Sequence, residues 1–282
     1  MEVKEIQIIT DSASDLPNEH IKKHDIKVIP MQIEIDGINY LDGRDITHEA
    51  FYEKMRNSNS LPKTSQPSTG SFLKAYRESL DHNSEVLSIH MSSKLSGTFK
   101  GALSAAKELD QRIHVFDSLS GTMGTGLMVL HAAKLKNKGY SVSDIIRELE
   151  SYRDHVHVIG YLDNLENAVR GGRVKPAKRF FVEWMKIKPI TNMVNGNVEV
   201  VKALRGKKKT HHYIADEISS YLQNAENHQV YIVHCNAEEN AVMLKALISE
   251  KIKRSKVHLT TMGPVNSTHV GFGGISACFS PE

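Results

Sequence analysis

Short runs rich in Ile and Val recur along this chain with longer amphipathic stretches between them. A β-branched run fills one strand, and the amphipathic stretch after it covers a sheet face, so the alternation predicts an α/β architecture with mainly parallel sheets. Ile6 to Thr10 reads as a strand, followed by the polar turn Asp11-Ser12-Ala13-Ser14-Asp15 and a helix opened by Pro17, whose fixed φ suits a first helical turn. Val28 to Ile35 is the next strand, then Glu85 to Met91 and Ile113 to Asp117, each of the last two leading into a Gly/Ser-rich loop and a helical pattern. In open α/β sheets such loops, beyond the carboxyl ends of strands, are where ligands bind. Leu127, Leu130, Ala133 and Leu135 fall at near-helical spacing between Gly126 and Lys138, which predicts a buried core helix stopped by Gly139. Ser141 with Asp144 has the pattern of a capping box for a helix ending near Arg153.

The second half supplies strands at His157 to Leu162, Val230 to Cys235, Val257 to Met262 and Ile275 to Phe279. Ile190 to Val194 and Asn197 to Ala203 form a strand pair turned by Asn195-Gly196, a dipeptide that provides the positive φ values of a tight hairpin. At 282 residues, 40% of them hydrophobic, the chain has material for a sizeable core and two domains. The boundary is expected near Asp154, giving an N-terminal α/β domain at 1–154 and a C-terminal one at 155–282. No internal repeat, heptad run or low-complexity segment interrupts this plan.

A formal net charge of +3 makes indiscriminate polyanion binding unsuited to the molecule as a whole, so any anion chemistry must be local. No apolar run approaches the roughly 20 residues that span a bilayer, and Met1 to Lys4 runs into a strand-like segment rather than a signal sequence, so the cytosol is the expected compartment. Cys235 and Cys278 lie far apart, form no CxxC pair and read as inert core thiols of a reducing environment. The chain has no phosphate loop, no zinc-protease helix and no nucleophile elbow. Gly121, Gly124 and Gly126 do not match a dinucleotide fingerprint and point to close loop-to-helix packing. Adjacent His211 and His212 cannot share a helix face, so no metal site is expected there.

Two loops concentrate small hydroxyl and glycine residues: Lys63-Thr64-Ser65-Gln66-Pro67-Ser68 and Ser92-Ser93-Lys94-Leu95-Ser96-Gly97-Thr98. The second follows a strand and precedes a helix, so free N–H groups and the positive end of a helix dipole face it, as an anionic oxygen requires. On spacing alone Thr64 and Ser96 fit a carboxylate cradle and ordinary helix caps equally well.

The ordered series Thr10-Asp11-Ser12-Ala13-Ser14-Asp15-Leu16-Pro17, Thr64-Ser65-Gln66-Pro67-Ser68, Leu95-Ser96-Gly97-Thr98, Asp117-Ser118 with Gly124 and Gly126, Asn167-Ala168-Val169-Arg170-Gly171-Gly172-Arg173, Arg205-Gly206-Lys207-Lys208, and Gly263-Pro264-Val265 followed by His269 resembles the DegV family over essentially the whole chain. The resemblance implies two α/β domains with a ligand buried between them. It also implies a long-chain fatty-acid-binding protein, similar to the FakB subunit of bacterial fatty acid kinase, which offers a bound acyl carboxylate to the kinase subunit FakA for phosphorylation.

Carried over residue by residue, Thr64 and Ser96 match the positions whose hydroxyls bond the lipid carboxylate, His269 a histidine near the same head group, and Gly97 and Thr98 backbone N–H donors beside it. Arg205 matches an arginine near the head-group opening that matters for work with the kinase, and Arg170 and Arg173 would face an acidic kinase surface. No cofactor, metal or nucleic acid is implied. The expected protein is a monomer with no turnover of its own, docking transiently on its kinase and open to transient contact with a membrane surface. A tail of ~14 methylenes at about 0.8 kcal/mol each offers on the order of 11 kcal/mol before association costs, so the tail dominates affinity and the hydroxyls supply orientation. Lys94 and Phe272 depart from the family pattern, where a small residue and a proline are usual, and Phe272 is expected to alter the loop over the head group. Two competing readings are a stand-alone hydrolase or phosphotransferase with Ser96 as nucleophile and His269 as base, and a nucleic-acid binder using Arg205 to Lys209.

Overall fold

The structure, a computed structural model, describes residues 5–80, 85–109, 112–163, 165–174, 187–223, 228–253 and 256–281; residues 1–4, read above as the approach to a strand, lie outside that set. β1 (Ile6–Asp11) leads through a single 3-10 turn at Ser12–Ser14 into α1 (Asn18–Lys23), which Pro17 caps as expected. β2 (Lys27–Ile29) and β3 (Gln32–Ile35) divide the stretch expected as one strand. Pro30 has no N–H for a ladder, and the chain changes sheet at that point. β4 (Ile38–Leu41), α2 (His48–Asn57), β5 (Lys63–Ser65) and α3 (Thr69–Leu80) follow. β3 is the centre of a small antiparallel sheet of order β4-β3-β5, in which Thr64 is paired with Ile33.

β6 (Glu85–His90), α4 (Thr98–Leu109), β7 (Ile113–Asp117), α5 (Thr122–Asn137) and α6 (Val142–Arg153) complete the first half. The Ser141 hydroxyl accepts from the Asp144 N–H at 3.2 Å, as the capping pattern requires. The first sheet has the order β2-β1-β6-β7 and is parallel throughout. Its strand order reverses between β1 and β6, so a crevice opens beyond their carboxyl ends.

β8 (His157–Tyr161), α7 (Glu166–Arg170), β9 (Ile187–Val194), β10 (Asn197–Arg205), α8 (Lys207–Leu222), β11 (His228–His234), α9 (Glu238–Lys251), β12 (Lys256–Thr261), α10 (Pro264–Val270) and β13 (Ile275–Pro281) form the second half. Their sheet has the order β10-β9-β8-β13-β11-β12, with only β11 and β12 parallel. The expectation of mainly parallel sheets is therefore corrected here. A two-residue turn can join only antiparallel strands, which fixes β9 and β10, and β13 enters between β8 and β11 running against both.

α5 is buried on every side from Thr122 to Leu130, because it lies between the two sheets and touches β1 and β6 on one side and β11 and β13 on the other. Leu87 and Ile89 of β6, Leu127 and Met128 of α5, and Tyr231 and Val233 of β11 accordingly share one core. α3 and α4 cover the outer face of the first sheet, and α8 and α9 that of the second. Gly124 and Gly126 make the central packing close: a Cβ on the first would stand 2.5 Å from Val158, and on the second 2.9 Å from the Ser14 carbonyl. Among the described residues no helix is long and apolar enough to cross a membrane.

Candidate functional site: a hydroxyl-ended apolar cavity

The site begins with a clasp between the halves. Asp15 closes the first turn at a φ of 51°, a left-handed conformation that Asp tolerates. Its carboxylate accepts from Gly263 N and Asn266 Nδ2, both at 2.9 Å, and from Thr122 Oγ1 at 2.5 Å. Gly263 is the N-cap of α10, so a carboxylate of the first half caps a helix of the second. Asp42 lies in the same seam, where the Ser12 hydroxyl and the Val265 N–H act on its carboxyl. Burial outweighs these donors and pushes both Asp15 and Asp42 up to about 7, with Asp11 adding its charge. α10 is thereby held by its first turn, and its last turn carries His269 to β5.

There His269 Nε2 lies 2.9 Å from Thr64 Oγ1. The imidazole is held neutral, pushed down to about 4 by burial and then by the nearby Arg173. Gly171, the C-cap of α7, leaves room for the ring, since a Cβ there would collide with His269 Nδ1.

The second hydroxyl is prepared from below. In the crevice between β1 and β6, Asp11 Oδ2 lies 2.9 Å from His90 Nδ1 and accepts from Met91 N at 3.1 Å; His90 Nε2 meets Ser88 Oγ at 2.7 Å, and Tyr76 donates to Ser88 at 3.0 Å. This fully buried chain anchors the start of the loop that follows β6. Within the loop, Ser96 Oγ lies 2.8 Å from Thr98 Oγ1 and accepts from Thr98 N at 3.3 Å. The loop is closed from above by the tip of the β9–β10 hairpin, where Asn195 and Gly196 have φ of 48° and 80° and the Gly196 carbonyl accepts from Ser92 Oγ at 2.7 Å.

Thr64, Ser96, His269 and Arg173 all line one cavity, which encloses about 930 Å³ free of protein atoms with its mouth included. Away from these residues its wall is largely apolar: Met31, Met91 and Leu95 from the first half face Val158, Leu162 and Met193 from the second. Arg173 donates to the carbonyls of Leu95 and Gly171 at 3.3 and 2.6 Å, so its cation stands at the hydroxyl end.

Other expected site residues stand elsewhere. The Thr98 N–H is engaged by Ser96 and is not free for an anion, and Gly97 makes room for Gln66, whose Oε1 would strike a Cβ there. These two support the site from behind and do not line it. Arg170 pairs with Glu166 at 3.0 Å on a neighbouring surface hollow. Arg205 ends β10, about 25 Å of strand away from the hairpin tip, and lines a separate basic hollow with Lys208 and Lys209, so its expected place at the head-group opening is corrected. Phe272 turns away from the hydroxyls, its ring centroid 6.1 Å from that of Tyr52 and 5.5 Å from the Arg56 guanidinium, and it ties α2 to the end of α10. Ser96 and His269, the pair of the enzyme reading, line the same cavity, but His269 engages Thr64 and Ser96 engages Thr98. Asp15, Asp42, Asn266 and Gln66 were not singled out from sequence. An Asp in a turn motif is not distinguishable there from one buried at a seam.

Two sheets flanking a central helix, with an apolar cavity ending in paired hydroxyls, define a class of α/β small-molecule-binding proteins. The chain belongs to the DegV family: the family model described as "Uncharacterised protein, DegV family" matches residues 5–282. It is 35% identical over 268 residues to a DegV domain-containing protein of Staphylococcus aureus, covering 95% of this chain and 96% of the relative. Among solved structures, it resembles a DegV family protein of Thermus thermophilus described for its fatty acid binding, with a TM-score of 0.93, 30% identity and coverage of 99% of this chain and 100% of that one. It also resembles DegV of Bacillus subtilis, described as a fatty acid binding protein, with a TM-score of 0.91, 31% identity and coverage of 99% and 100%.

Proposed function

We propose that this protein is a cytoplasmic carrier of one long-chain fatty acid that presents the carboxylate to a fatty acid kinase for acyl-phosphate formation. The observation that carries the reading is the meeting of each cavity hydroxyl with a second polar group, Thr64 with His269 Nε2 and Ser96 with Thr98. With His269 neutral and its Nε2–H donating to Thr64, and with Thr98 donating to Ser96 through both N–H and hydroxyl, Thr64 and Ser96 each keep their own proton for a ligand. Two such donors bind a carboxylate without a buried counter-charge, and Arg173 adds a cation at the exposed edge. The tail lies along the Met, Leu and Val wall, whose burial supplies the affinity.

The carrier has no turnover of its own; a kinase docking over the mouth supplies the phosphate, with Arg170 and Arg173 meeting acidic groups of that partner and Arg205 serving as a more distant contact. The protein acts as a monomer, with limits of 1–154 and 155–282 for its domains. Mass spectrometry of protein purified from bacteria without delipidation is expected to find one equivalent of fatty acid. Thr64→Ala combined with Ser96→Ala is expected to lower both retained lipid and acyl-phosphate made with the kinase by about tenfold or more, since each lost hydrogen bond to a charged group is worth about 1.5–3 kcal/mol. An empty wild-type cavity, or a double variant that behaves as wild type, sinks the reading.

A further inference from the structure

The cavity has a second polar feature that the carboxylate site does not use. Gly160 of β8 pairs with Thr191 of β9 on one side and with Ser276 of β13 on the other, so the three stand in one row across the sheet. Thr191 and Ser276 both line the cavity. Thr191 is 8% exposed, and neither hydroxyl has a hydrogen-bond partner among the described residues. β13 is an interior strand, so the partial exposure of Ser276 on this face opens into the cavity. Ser276 Oγ leans over the glycine and lies 3.0 Å from the point where a Gly160 Cβ would stand. The Ile275 carbonyl, 2.5 Å from the same point, fills the remaining space over the glycine, so the cavity wall at this row is made by the two flanking hydroxyl residues.

Apolar groups surround the row: Val158 and Leu162 lie two residues away along β8, and Met193 two residues away along β9. Nothing there compensates a charge, so an ionised group is excluded. A saturated tail lying across the row buries two hydroxyls without partners, which is unfavourable. A neutral oxygen on the tail removes that penalty, because a Ser or Thr hydroxyl both donates and accepts.

We propose that Thr191 and Ser276, on either side of Gly160, form a subsite for a hydroxyl or keto oxygen borne partway along the acyl chain, so that the protein accommodates oxygenated long-chain fatty acids. This inference rests on the fatty-acid reading of the cavity. Thr191 and Ser276 are specificity residues in this role and lie apart from the Thr64 and Ser96 pair that meets the carboxylate.

The test is competitive binding of stearate and a series of positional hydroxystearates to delipidated protein. For wild type, the expected profile has one favoured hydroxyl position, at which the hydroxy acid binds at least as tightly as stearate, while the other positions bind about tenfold or more weaker. In the near-isosteric pair Thr191→Val and Ser276→Ala, stearate affinity is expected to hold or improve and the favoured position to lose its advantage by about tenfold. A uniform penalty at every position in wild type overturns the subsite while leaving the fatty-acid reading intact. So does a favoured position that persists in the double variant. Failure of wild type to bind stearate at all overturns both.

Discussion

At the scale of single residues, buried titratable groups set the behaviour of the seam. Asp42 has one carboxylate oxygen, Oδ2, buried without a partner, and burial raises the group from 3.8 to about 7. A folded value above the unfolded one means that its favourable contribution is complete below about pH 4 and is lost as the pH rises through about 7. Asp42→Asn is therefore expected to stabilise more at about pH 9 than at about pH 5, by about 1–3 kcal/mol, read from urea unfolding at both values. The same change at both pH values would show that the charge is not the cause. His269 has the opposite sign: its folded value of about 4 lies below the unfolded 6.5, so stability from the neutral ring is present above pH 6.5 and lost as the pH falls through about 4. His269→Gln is expected to flatten the acid limb of the melting-temperature profile in that window, and an unaltered slope would place the acid sensitivity elsewhere. Thr64 and Ser96 were legible from the hydroxyl-rich loops only as one of two readings. What the linear chain does not show is the partner each hydroxyl meets across the fold, His269 for Thr64, beside the local partner Thr98 for Ser96.

At the scale of elements, helix and strand ends decide which side chains meet. α7 and α10 pack so closely that the C-cap glycine of one lies against the imidazole of the other. Gly171→Ala is expected to displace His269 from Thr64 and to reduce retained fatty acid several-fold, measured by mass spectrometry, with a stability cost of about 1–2 kcal/mol from the forced contact. Retention at the wild-type level would mean that the ring does not need this place. Several elements were readable locally: the Asn195-Gly196 hairpin from its φ requirement, the Ser141 cap from its side-chain chemistry, and α5 from the near-helical spacing of Leu127, Leu130, Ala133 and Leu135. The split at Pro30 was missed because the run of apolar residues on either side of it hid the loss of one ladder donor.

At the scale of the whole molecule, the two halves meet through α5, the Asp15 clasp and the docked hairpin tip, and the cavity lies among these contacts. A ligand that fills it binds the folded state alone. Delipidated protein is expected to melt below the loaded protein, and fatty acid returned at about 100 times Kd should restore about 2.7 kcal/mol. Identical melting curves for the two forms would show that the tail is not part of the folded interior. The α/β class, the two-part organisation and the hydroxyl loops follow from periodicity and local chemistry, which a linear chain displays openly because they depend on neighbours within a few residues. The antiparallel second sheet, the burial of Asp15 and Asp42, the remoteness of Arg205 and the row formed by Thr191, Gly160 and Ser276 arise only where distant segments come into register. Strand order and desolvation are properties of the packed molecule, and no short stretch of residues carries them.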